Sequence, residues 1–211
     1  MSTALGERSP GKPAARPKLT LVPRPSRRPR AKTLVAAIFA VAFVYHWLNS
    51  RGHVTPVVFS DELLYSKLAQ SIAGGEGLRL RGENVFFPAL LPVLAQAPAW
   101  LIGSTATAFG VVKALNAALM SAAAFPVYAL SRRVVRPSFA VLVAAAAVTG
   151  PPMLYHAYLM SEALSYPLFF LACATMLRAI EQPSGRMEAA VVGVSLAACL
   201  TRLQLVVVPL A

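Results

Sequence analysis

The sequence predicts an all-α, multi-pass transmembrane helical bundle with a short non-cytoplasmic loop that carries interfacial helices. Three observations predict it. Hydrophobic residues make up 57% of the chain and mean hydropathy is +0.61. Only 13% of residues are charged, about half the share usual in soluble domains. The net charge of +12 is unevenly placed, since Arg8, Lys12, Arg16, Lys18, Arg24, Arg27, Arg28, Arg30 and Lys32 all precede the first long apolar run. A basic flank beside an apolar helix marks the cytoplasmic side of a membrane. It reads as a topology signal and not as a nucleic-acid surface, with contact to anionic lipid as a second role. Membrane lipids are therefore expected partners and nucleic acid is not.

Residues 1–32 are rich in Pro, Arg, Ser and Ala without an apolar period, which predicts a disordered cytoplasmic tail. Residues 33–49 predict a first, uncleaved span, because the run is long for a signal-peptide core and no clear small-residue cleavage site follows. Tyr45, His46 and Trp47 stand at its far end, where an interfacial position suits them. In the polar stretch that follows, Arg51, Lys67, Arg79 and Arg81 balance Asp61, Glu62, Glu76 and Glu83, as suits a non-cytoplasmic segment.

Within it, residues 60–73 predict a short amphipathic helix lying against the bilayer. Leu64, Leu68 and Ile72 share one face at a spacing of four. Ser60 is the expected N-cap, Asp61 and Glu62 suit the first turn, and Gly74–Gly75 is the expected stop. Residues 86–103 are apolar but hold Pro88, Pro92 and Pro98. Making them interfacial or re-entrant keeps Arg132, Arg133 and Arg136 on the cytoplasmic side after a second span at 105–130. Further spans are expected at 139–153, at 158–180 with Pro167 inside it, and at 187–209. Cys173 and Cys199 lie in apolar runs without metal-ligand spacing and read as buried structural thiols.

Chemistry is sought among the charges near the membrane. Asp61 is the only aspartate, and Glu62 follows it. A cap for a surface helix is the plainer use of the pair; a carboxylate base or metal ligand at the membrane edge is the functional one. Glu162 and Arg202 fall inside expected spans, where a charge costs roughly 3 kcal/mol at mid-membrane. Lys113, nearer a span end, can snorkel. Glu162 and Arg202 either form an ion pair that only joins two helices, or face an outward cavity with Asp61 at its rim. In such a cavity a carboxylate accepts a proton or holds a metal, and an arginine binds phosphate.

Several motifs occur in a telling order. Phe59-Ser60-Asp61-Glu62-Leu63-Leu64-Tyr65 follows the first apolar helix, then Leu68-Ala69, Gly74-Gly75-Glu76-Gly77 and Phe87-Pro88-Ala89-Leu90-Leu91-Pro92. After these come Trp100-Leu101-Ile102-Gly103, an Asn116-bearing helix ending in Tyr128-Ala129-Leu130-Ser131-Arg132-Arg133, Gly150-Pro151, Met160-Ser161-Glu162 and Thr201-Arg202. From about Thr33 to Ala211 the chain resembles the N-terminal part of the C-type glycosyltransferase superfamily (GT-C). It is most similar to the branch of protein O-mannosyltransferases and bacterial aminoarabinose transferases. The resemblance implies a polyprenyl-phosphate sugar as donor, an acceptor on the non-cytoplasmic face, and a bacterial plasma membrane. By the same resemblance Asp61 is the catalytic base or a ligand of an assisting metal, and Glu62 orients the acceptor. Glu162 and Arg202 are substrate-binding, with Arg202 on the lipid phosphate. Some relatives use a divalent metal and others do not, which leaves the cofactor open, with Asp61 as the ligand if there is one. Family members carry many more spans, so the chain is expected to be a fragment or truncated form. A non-catalytic remnant or lipid-linked-sugar-binding subunit is the alternative. A small transporter is disfavoured because Asp61 and Glu162 lie away from the expected midplane.

Overall fold

The computed structural model describes residues 29–53 and 59–210. The expected tail therefore lies outside the described residues up to position 28. Its last residues are not a tail, because the first helix, α1, spans Pro29–Ser50. Pro29 opens that helix, where its missing N–H leaves no hydrogen bond unmade.

The remaining helices are α2 (Ser60–Ala73), α3 (Leu90–Gln96), α4 (Thr105–Ala122), α5 (Ala124–Ser131), α6 (Pro137–Ala147), α7 (Glu162–Glu181) and α8 (Gly185–Cys199). 3-10 turns cover Ala97–Leu101, Pro151–Ala157 and Leu203–Leu210. The architecture is mostly helical, with one departure. Arg79–Leu80 (β1) pairs antiparallel with Glu83–Asn84 (β2). The two turn residues, Arg81 and Gly82, have φ of 55° and 88°, the handedness a two-residue hairpin requires.

Among the described residues, three stretches are long and apolar enough to cross a membrane: Ala31–Ser50, Thr105–Ser131 and Glu162–Glu181. A fourth arises only if α6 and the turn Pro151–Ala157, bent by 48°, count as one. The α4–α5 stretch is central, with 50% of its apolar window buried against 17% for each of the other two. It breaks at Ala123 because Pro126 offers no N–H to the Ala122 carbonyl and its ring crowds that oxygen. Ser104 caps α4 by accepting from Thr107 N–H at 3.3 Å, and Ser184 does the same for α8 from Met187 N–H.

Two expected spans take other forms. The one over 139–153 is an 11-residue helix, about 16 Å long, halted by Gly150-Pro151-Pro152. The one over 187–209 is a 15-residue helix that ends at Cys199, turns through Leu200, Thr201 and Arg202, and continues as a 3-10 turn. At about 22 Å, α8 falls short of a hydrocarbon core about 30 Å thick. Residues 158–161 stand outside α7, which starts at Glu162. Over 86–103, α3 and its 3-10 extension form a 12-residue apolar stretch, Leu90–Leu101, too short to cross as a helix.

The core lies between α1, α4, α5, α6 and α7, where Val35, Ala42, Met120, Ala124, Val127, Ala144, Val148 and Ala163 pack together. Small residues dominate it, so the helix backbones approach closely. A second cluster joins α2 to α3 through Tyr65, Leu68, Ala69 and Val93. Outward-facing side chains are large and apolar, among them Val41, Leu142, Val192 and Leu196.

Candidate functional site

The site is built where the chain leaves regular structure. Asp61 enters from the first turn of α2, Ser161 and Glu162 from the start of α7, and Arg202 from the break after α8. The α7–α8 hairpin brings the last two together: Arg202 Nη1 lies 2.9 Å from Glu162 Oε1. Their side chains are 39% and 15% exposed, so the pair sits at an opening and not in the core. The break that exposes Arg202 is held on both sides. Thr201, fully buried, donates through Oγ1 to Ala198 O at 2.6 Å, and Leu91 N–H donates to Leu200 O at 3.1 Å.

Asp61, Tyr65, Ser161, Glu162, Arg202 and Gln204 line one open cavity of about 560 Å³, walled on its apolar side by Leu64, Phe87, Pro88 and Leu203. Asp61 itself is exposed, with Ser60 Oγ 3.5 Å from its Oδ1. Tyr65 was not singled out in the sequence. It stands one helical turn after Asp61, at the i+4 spacing that puts both on one face. That spacing is the signal by which it is found. Burial pushes the Tyr65 phenol above its ordinary value near 10; a hydrogen bond with Ser161 works the other way, and the Glu162 and Asp61 carboxylates add to the rise.

Glu62 goes elsewhere. A residue next to Asp61 on a helix points about 100° away from it, and Glu62 is fully buried on the far side of α2. Its Oε1 accepts from Leu159 N–H at 3.1 Å, and its Oε2 lies 3.5 Å from Phe59 N. It therefore does not line the cavity. It ties the start of α2 to the strand of chain that leads into α7. The cap is corrected with it: Phe59 is the N-cap residue, and its N–H is met by the Glu62 carboxylate, while the Ser60 side chain caps nothing.

Three further polar groups fix the surroundings. Lys113, buried on α4, donates to Ser50 O at 3.3 Å and to His53 O, closing the C-terminal end of α1. Asn116 Nδ2 donates to Tyr158 O at 2.8 Å. His46, expected at an interface, is instead buried; its Nε2 donates to Val148 O at 2.8 Å, and its ring lies against His156 with centroids 4.6 Å apart. Among the described residues no group of three or more His, Cys, Asp or Glu assembles to hold a metal. Asp61 and Glu162 are the carboxylates of the cavity, and Glu162 is engaged by Arg202.

Comparison of the chain with family models, with curated proteins and with solved structures returns no match.

The arrangement can do two things chemically. An exposed carboxylate beside a buried phenol can take a proton from a hydroxyl held between them. A guanidinium at the same opening can bind an anion, in exchange for part of its contact with Glu162.

Proposed function

We propose that the chain is a multi-pass membrane protein that works in glycosyl transfer, with its sugar taken from a polyprenyl phosphate on the non-cytoplasmic face. The observation that carries the reading is the convergence of Asp61, Glu162 and Arg202 in one cavity from segments far apart in sequence. Each has the chemistry the transfer needs. The acceptor hydroxyl oxygen bonds to the anomeric carbon as the bond from that carbon to the phosphate oxygen breaks. Asp61 takes the hydroxyl proton, and polyprenyl phosphate leaves with the bonding pair. Arg202 balances the charge left on the phosphate, and Glu162 holds Arg202 in place until the donor arrives. The wall of Leu64, Phe87, Pro88 and Leu203 suits a polyprenyl chain entering from the side. A divalent metal, where the resemblance implies one, would find Asp61 as its ligand. Among the described residues Glu162 is engaged by Arg202 and no imidazole lines the cavity, so no step is assigned to a metal.

The test is transfer of a labelled sugar from a polyprenyl-phosphate donor by the protein in membranes. Asp61→Asn is expected to lower the rate by about 10²–10⁴-fold, the usual loss for a general base, at an unchanged amount of inserted protein. Equal turnover by wild type and variant overturns the assignment. A second reading, a subunit that binds the lipid-linked sugar without transferring it, draws on the Glu162–Arg202 pair, which already occupies two of the three charged groups. Donor binding that depends on Arg202 but is never followed by transfer decides for that reading.

A further inference from the structure

The opposite end of the bundle has its own arrangement. The α5–α6 turn carries Arg132, Arg133 and Arg136, and the α7–α8 turn is flanked by Arg178 and Arg186. The first part of α1 reaches the same end: Val35 packs in the cluster that holds Val127, and Phe39 lies against Phe125. Lys32 is thereby added to the arginines. Arg133 pairs with Glu181 and locks the two turns together. Arg132 and Arg136 are exposed, and among the described residues neither makes an ion pair.

An apolar groove of about 400 Å³ between α5, α6 and α7 begins at Ser131, next to Arg132, and runs along α6 as far as Ala147. Val127, Leu130, Val143, Ala146 and Phe170 form its walls, and Ser131 is the last groove residue before Arg132. Ala146 keeps the groove open because its side chain is small. A groove that is apolar along its length and cationic at its mouth is complementary to one kind of molecule: a chain of methylenes ending in an anion.

We propose that this groove binds one anionic phospholipid, its acyl chain against Leu130, Val143 and Phe170 and its phosphate on Arg132 and Arg136. The inference rests on the membrane reading above, but not on the glycosyl-transfer reading. Arginine offers a planar fork of donors to phosphate oxygens, which suits a fixed headgroup better than diffuse attraction. Charge complementarity selects an anionic lipid over a zwitterionic one, and the groove selects a lipid over a soluble phosphate.

The experiment uses the full chain in bilayer discs of phosphatidylcholine with an equal share of phosphatidylglycerol. The lipid retained after transfer to detergent is counted by native mass spectrometry. One phosphatidylglycerol per chain is expected, preferred over phosphatidylcholine by roughly fivefold for each contributing arginine. The Arg132→Gln/Arg136→Gln double variant should lose the preference while still inserting. Ala146→Phe should lose the retained lipid with both arginines in place, which a purely electrostatic attraction of the surface would not do. Retention and preference unchanged in either variant overturn the proposal. Resistance to alkaline carbonate extraction, measured on the same samples, separates the two levels. Inserted protein without a phosphatidylglycerol preference defeats the lipid site alone, whereas extractable protein defeats the membrane reading and the site with it.

Discussion

Asp61 and Glu62 are adjacent in sequence and stand in different surroundings. One is exposed at a cavity; the other is fully buried and spent on backbone N–H groups. Neutralising or shortening them should separate accordingly. Glu62→Ala leaves Leu159 N–H without its acceptor, at about 1–3 kcal/mol for a buried unsatisfied donor. It should lower the melting temperature in detergent, whereas Asp61→Asn should leave melting nearly unchanged. Similar melting of both variants would show that the burial of Glu62 carries no structural weight. Tyr65 makes a different prediction. Its phenol is raised by burial, so the folded state holds the proton more tightly than the unfolded one. The resulting stabilisation is complete below the ordinary phenol value near 10 and fades as pH rises through the folded value. Tyr65→Phe should therefore flatten the alkaline fall in stability above about pH 10, read as melting temperature against pH. An unchanged alkaline slope would place the phenol in ordinary solvent.

At the scale of elements, the polar groups inside the bundle work mainly on chain ends. Lys113 satisfies carbonyls at the end of α1, where four oxygens lack helical partners. Asn116 fixes Tyr158, and Thr201 with Leu91 fixes the break that presents Arg202. Lys113→Met keeps most of the side-chain length and removes the donors. Hydrogen bonds from a charged group are worth about 1.5–3 kcal/mol, so the variant should melt earlier and be cleaved faster by protease near Arg51 to His53. Cleavage at the wild-type rate would mean that the end of α1 is held by other contacts. The α4–α5 break belongs to this scale too. Pro126 is visible in the sequence, and its effect on the Ala122 carbonyl follows from its chemistry alone.

At the scale of the whole molecule, charge divides the bundle. The arginine rim occupies one end, and Asp61 with the Glu162–Arg202 pair occupies the other. On the proposed membrane reading the rim faces the cytoplasm. A cysteine placed at Arg79 should then be labelled by an impermeant thiol reagent from outside intact cells, and one at Arg132 only after the membrane is opened. Labelling of position 132 from outside would overturn this topology.

What the sequence determined by itself was local. Apolar length and composition marked α1, the α4–α5 stretch and α7. The spacing of Leu64, Leu68 and Ile72 with Gly74–Gly75 after them marked α2. These features depend on neighbours a few residues away, which a sequence displays directly. Where an apolar run would break was harder to see. Hydropathy averages over a window and does not register the turn at Leu200 to Arg202, which depends on Thr201 bonding back to Ala198 and on α3 docking through Leu91. Which carboxylate meets the cavity was decided only by the tertiary structure. Helical geometry says that Asp61 and Glu62 must diverge by about 100°, but not which side of α2 will be covered. That choice follows from the packing of Leu68 and Ala69 against α3 and from Leu159, 97 residues away in the chain, bringing its N–H to Glu62. A buried carboxylate has to have such a donor, and only the folded chain can supply it.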